Sequence, residues 1–152
     1  MTSAIPVNTR REMPKKPYPG GYASPSFTYY DIWDFFAIAE AAAAEEAPIM
    51  IASHQMVAEE TGVSLTGAWA YAAMEKANTP LIHHLDHSTS VDICKQAIDN
   101  RYPSVMIDAS AESLEENITQ TNAVMEYAKA SPLKPHVEAE IGRIKGRGFE
   151  GG

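Results

Sequence analysis

Residues 81–110 read LIHHLDHSTSVDICKQAIDNRYPSVMIDAS, and their reading decides the fold class. LIHHL (81–85) is a short apolar run of strand length. Residues 89–99 carry a helical pattern, with Ile93 and Ala97 marking one face. PSVMI (103–107) is a second apolar run, bounded by Pro103 and Asp108. Apolar runs of this length without polar alternation fit strands covered on both faces. A helix between two such strands is the connection a parallel pair requires.

The same rhythm extends in both directions. Upstream, PIMIAS (48–53) is another buried-strand pattern, followed by a looser stretch and a helix near residues 64–77, with Leu65, Ala68, Trp69, Ala72 and Ala73 on one side. Before it, Tyr22 to Tyr30 has strand composition, weakened by Pro25. Asp31 then caps a helix whose Ile32, Phe35, Phe36 and Ala39 repeat at helical spacing. Downstream, Ser113-Leu-Glu-Glu116 forms a capping box, and Leu114, Ile118, Thr121, Met125 and Ala128 trace a stripe expected to face the core. PHVEAEI (135–141) reads as a last strand. The prediction is an α/β chain: strand and helix four times over, plus a fifth strand, in one parallel sheet. The segment before Gly21, rich in proline and glycine, is an irregular lead-in.

Composition narrows the partners. The chain has 152 residues and a formal net charge of −8. That charge argues against a nucleic-acid or anionic-membrane binder, which needs clustered Lys and Arg. The single cysteine, Cys94, excludes an internal disulfide and a cysteine-built zinc site. No run of apolar residues is long enough to span a membrane, and the first residues lack the apolar core of a secretory signal, so a soluble cytoplasmic protein is expected.

In parallel β/α folds the working groups sit just past the carboxyl ends of the strands. That rule selects Ser53-His54, Asp86-His87, Asp108 with Ser110, and Glu138 with Glu140. The densest patch, His83-His84-Leu85-Asp86-His87, suits a metal ligand beside an acid–base carboxylate. The alternative is a set of hydrogen-bonded packing residues. Asp108 is either a ligand or a turn cap. Glu138 and Glu140 share a strand face, and two carboxylates buried there would need a cation or a polar network. Arg143, Lys145 and Arg147 fit a phosphate contact or an exposed basic loop, Ser53 a substrate contact or a turn. Tyr29, Tyr30, Trp33, Phe35 and Phe36 are assigned to core and helix face.

GGYASPSF (20–27), HLDHSTS (84–90), SVMIDAS (104–110), LEENI (114–118) and VEAEIGRIKG (137–146) together resemble the amino-terminal half of the class II, zinc-dependent ketose-bisphosphate aldolases. The resemblance implies a partial TIM (β/α)8 barrel, about β1–α4 plus β5, with residues 1–152 forming part of one barrel domain. It implies zinc-dependent cleavage of fructose 1,6- or tagatose 1,6-bisphosphate to dihydroxyacetone phosphate and glyceraldehyde 3-phosphate. Asp86 falls on the catalytic aspartate and His87 on a zinc-ligand histidine. Asp108 and Glu140 fall on carboxylates associated with an alternative metal position or with a second one, for a divalent or monovalent cation. Ser53 lies near a position lining the substrate site.

The departures matter equally. Two further zinc histidines and the glycine-rich phosphate loops belong to the family's second half, and a whole barrel needs roughly 200 residues. Thr28 stands where the family has a substrate-contacting asparagine, Pro14, Pro17 and Pro19 occupy a stretch helical in relatives, and Glu150 is the nearest match to an acidic pair after the fifth strand. The expectation is negligible activity for the chain alone. An open half-barrel should self-associate or pair with a missing half, and a non-catalytic assembly or metal-binding module is the rival reading.

Overall fold

The computed structural model describes residues 23–76 and 79–142. Its strands are β1 (Ser26–Tyr29), β2 (Ile49–His54), β3 (Leu81–Ser88), β4 (Ser104–Ile107) and β5 (His136–Ala139). Between them run α1 (Ile32–Ala44), a single turn α2 (Gln55–Val57) that passes through a π-turn at Ala58–Gly62 into α3 (Val63–Lys76), α4 (Val91–Asp99) and α5 (Leu114–Ala130). The five strands form one sheet in the order β1-β2-β3-β4-β5, every pair parallel. Each crossover therefore advances by one strand in the same direction. With crossovers of one hand, that winding puts every helix on the same side of the sheet and leaves the other side as an inner wall. This is the arrangement of a barrel; a doubly wound sheet would reverse direction once.

Local signals set the helix starts. Asp31 accepts from the backbone N–H groups of Trp33 and Asp34, Ser90 from Ile93 and Ser113 from Glu116. Two apolar clusters fill the space between sheet and helices. One joins Tyr29, Ile49, Ile51 and Leu81 to Phe35, Ala39, Ala70 and Ala73. The other joins Leu85, Val105 and Ile107 to Cys94, Ala97, Ile98, Val124 and Ala128. Cys94 is fully buried, donates to the Met106 carbonyl, and burial raises its pKa to about 11, so the thiol packs and does not react.

Three predicted faces are corrected. On α3 the buried stripe is Val63, Thr66, Ala70 and Ala73, and Leu65 is exposed. On α5 the buried residues are Asn117, Val124 and Ala128, while Leu114 and Ile118 are 63% and 52% exposed. Of the aromatic group, Tyr29 and Phe35 are core, but Tyr30 and Trp33 face solvent. On α3 and α5 spacing identified the helix correctly, but docking chose which of two adjacent stripes to bury. Among the described residues, no helix is long and apolar enough to cross a membrane.

Candidate functional site

Strand alternation divides β3 between two environments. Leu81, His83 and Leu85 point to the helices; Ile82, His84 and Asp86 point to the inner wall. Strict alternation would send His87 back toward the helices. The register between β3 and β4 prevents this: Leu85 pairs with Val105 but Ser88 pairs with Ile107, so β3 holds one extra residue. His87 takes a left-handed backbone, φ 48°, within this bulge. A bulge re-aims side chains at the end of a strand, and a non-glycine residue at positive φ costs roughly 1–3 kcal/mol, which the flanking pairing must hold in place.

The result is that Asp86 and His87, neighbours in sequence, share one rim. His87 Nε2 lies 3.7 Å from Asp86 Oδ1. Its Nδ1 lies 3.1 Å from Asp108 Oδ2 at the end of β4 and 3.4 Å from Glu140 Oε2 just past β5. One ligand atom from each of His87, Asp108 and Glu140 falls within 4.8 Å of the others. Atoms bound to one tetrahedral zinc at about 2.0–2.2 Å lie about 3.3 Å apart. The His–carboxylate spacings are close to that value, and an imidazole with two carboxylates is a donor set that suits a divalent cation. Asp108 is held on both sides: its N–H donates to the Ser88 carbonyl at 2.7 Å, and its Oδ1 accepts from the Ser110 N–H at 3.1 Å.

Behind Asp86 stands a polar chain that the sequence did not disclose. His84, 3% exposed, places Nε2 3.7 Å from Asp86 Oδ1 and Nδ1 2.8 Å from Ser104 Oγ on the adjacent strand. Burial pushes the Asp86 pKa up, but the His84 hydrogen bond and the nearby imidazoles of His87, His84 and His54 outweigh it, holding the carboxyl below its ordinary value. Asp86 is thus a carboxylate at neutral pH.

The remaining predicted residues sit elsewhere. Ser53 is 0% exposed and pairs in register with Tyr29 and Leu85, which places it on the helix-facing row. The Ser53 hydroxyl lies in the buried polar group of Tyr29, Thr66 and Tyr102 and donates to the His54 carbonyl at 3.4 Å. Glu138 pairs with Met106, half-buried on β5. Arg143, Lys145, Arg147, Glu150 and the prolines of the lead-in lie outside the described residues. Sequence reasoning missed Ser104 and Asn117. A serine at the start of an apolar strand and a buried asparagine inside a helix were the available signals.

Comparison with known proteins agrees with this fold. The profile of the fructose-bisphosphate aldolase class-II family matches residues 8–151. The chain is 37% identical over 139 residues to the 6-phospho-5-dehydro-2-deoxy-D-gluconate aldolase of Halalkalibacterium halodurans, covering 90% of this chain and 48% of that one. It is 31% identical to the fructose-bisphosphate aldolase of Treponema pallidum, covering 92% of this chain and 43% of the relative. The chain thus spans about half the length of the curated relatives it matches. Among solved structures, a putative fructose-1,6-biphosphate aldolase from Coccidioides immitis superposes with a TM-score of 0.73 at 32% identity, over 82% of this chain and 43% of that one. The YdjI aldolase from Escherichia coli K12 does so with a TM-score of 0.70 at 30% identity, over 80% and 46%. The five-stranded sheet thus corresponds to part of a TIM-type aldolase barrel, and the chain belongs to the class-II fructose-bisphosphate aldolase family.

Proposed function

We propose that this chain supplies the amino-terminal part of a zinc-dependent aldolase that cleaves fructose 1,6- or tagatose 1,6-bisphosphate to dihydroxyacetone phosphate and glyceraldehyde 3-phosphate. The observation that carries the reading is the bulge, which delivers Asp86 and His87 to the same rim as Asp108 and Glu140. His87 is the zinc ligand in this reading, with Asp108 and Glu140 for that ion or for a second cation. When bound, the ion supplies Lewis-acid stabilisation of negative charge at the ketone oxygen.

Asp86 handles the proton. Its carboxylate takes the hydrogen of the hydroxyl next to the bond being broken. The electrons of that O–H bond form the aldehyde C=O, those of the carbon–carbon bond pass to the carbon beside the ketone, and a proton taken up from solvent at that carbon completes dihydroxyacetone phosphate, while Asp86 gives up its proton to solvent before the next turnover. In the reverse direction Asp86 returns the proton to the aldehyde oxygen. His84, fixed by Ser104, keeps the carboxylate ionised and aimed. The two bare strand edges, β1 and β5 among the described residues, and the exposed Leu114, Ile118 and Ile141 support a further proposal: the chain pairs with a second barrel half or with another copy. The relative from H. halodurans keeps a third sugar phosphate in view as substrate.

The test is a chimaera of residues 1–152 with the carboxy-terminal half of the H. halodurans relative, assayed with zinc on both bisphosphates and on that relative's own substrate. Zinc-dependent cleavage of either bisphosphate supports the reading, and preference for the third substrate reassigns the sugar. A folded, metal-loaded chimaera that cleaves none of them refutes it.

A further inference from the structure

Asn117 is a polar residue on the buried face of α5, 6% exposed, in a helix whose other buried positions are Val124 and Ala128. Its amide nitrogen donates to the main-chain carbonyl of Glu140 at 2.8 Å, across 23 residues of sequence. Its amide oxygen accepts from the hydroxyl of Thr121, one helical turn on, at 3.3 Å. The Glu140 carbonyl, which can only accept, fixes the direction of the amide. A flipped Asn117 would set its oxygen against that carbonyl, while the Thr121 hydroxyl, which donates or accepts, braces the amide from the other side. Glu140 follows directly on the last pair of the β4–β5 ladder, Ile107 with Ala139. Directly after it Gly142 turns at φ 83°.

We propose that Asn117 is a positioning residue for metal binding: its side-chain amide, braced by Thr121, holds the Glu140 carbonyl so that the carboxylate reaches the His87–Asp108 pair. This rests on the reading of His87, Asp108 and Glu140 as a cation site. Asn117 and Thr121 belong to the helix behind the site and are not among the candidate ligands. An outer partner of this kind typically governs affinity without changing the identity of the ligands.

The experiment titrates the 152-residue chain with Co2+, whose visible bands report ligand number, and follows unfolding in parallel. Asn117→Ala should weaken Co2+ binding about tenfold to a hundredfold and change the spectrum at saturation, in a chain that remains folded. Thr121→Val should shift affinity in the same direction by less, and Thr121→Ser, which keeps the hydroxyl, should restore it. The threonine pair preserves the test should Asn117→Ala fail to fold. Unchanged affinity and spectrum in folded Asn117→Ala, or in Thr121→Val, overturn the proposal; a loss of thermal stability alone would mark a structural role and overturns it too. Co2+ binding in the parent chain that is insensitive to Asp108→Ala, or absent, rejects the cation site itself, and the positioning role with it.

Discussion

The two faces of β3 put nearly identical residues to different uses. His83 and His84 are adjacent, and both are almost fully buried. His83 faces the helices, packs 4.0 Å from the Tyr102 ring and meets Tyr29 OH through Nε2 at 2.9 Å. Burial, with a smaller contribution from the neighbouring His84, lowers its pKa to about 3. His84 faces the inner wall and touches Asp86 and Ser104. The more strongly perturbed histidine is thus the one in the packed layer, and the chemistry gathers on the face that no helix covers. A perturbed titration marks burial; a site needs convergent groups that a substrate can reach.

This contrast can be broken at four points. The largest effect is expected at the rim. Asp86→Ala in the chimaera should lower turnover about 10²- to 10⁴-fold while metal content stays at the parent level. Loss of the metal would instead make Asp86 a ligand. Next, Asp108→Ala should abolish most Co2+ binding by the chain, measured by titration, while the cooperative unfolding transition is retained. If that variant binds Co2+ normally, the ion does not sit between β3, β4 and β5.

The covered face should respond in stability, with little change at the metal. Below pH 6.5 the unfolded chain takes up a proton at His83 that the folded chain refuses until about pH 3. Stability from this group is therefore complete above pH 6.5 and is lost as pH falls toward 3. His83→Leu should cost about 0.5–1.5 kcal/mol at neutral pH, because the Tyr29 hydroxyl loses one of its hydrogen bonds, and should flatten the acid limb of a stability–pH curve measured by urea unfolding. An unchanged acid limb would place the pH dependence elsewhere. Last, a Cβ on Gly67 would stand 2.9 Å from the Asn100 carbonyl, where α3 crosses the end of α4. Gly67→Ala should then destabilise by about 1–2 kcal/mol and leave Co2+ affinity alone; any change in metal binding would tie the two faces together more closely than the contacts suggest.

Much of this was legible in the residues. Five apolar runs separated by helical spacing specify a parallel sheet, because only parallel strands need a helix-length crossover. Asp31 and Ser113 announce their helices because a short oxygen-bearing side chain satisfies free amides at a helix start. Strand ends carrying Asp86-His87, Asp108 and Glu140 suggest one rim. The faces of α3 and α5 were not legible, since Leu65, Leu114 and Ile118 keep perfect helical spacing on a stripe that docking leaves bare.

By itself the sequence determined the order of elements, their parallel connection and the residue types available at each strand end, because these depend on local spacing and on chain geometry. The tertiary structure alone decided that β3 gains a residue against β4 and turns His87 inward, that Ser53 faces the helices, and that Glu140 meets His87. Those outcomes depend on register between strands far apart in sequence. A shift of one residue moves a side chain to the opposite face of the sheet, and only the pairing of the assembled strands fixes that shift.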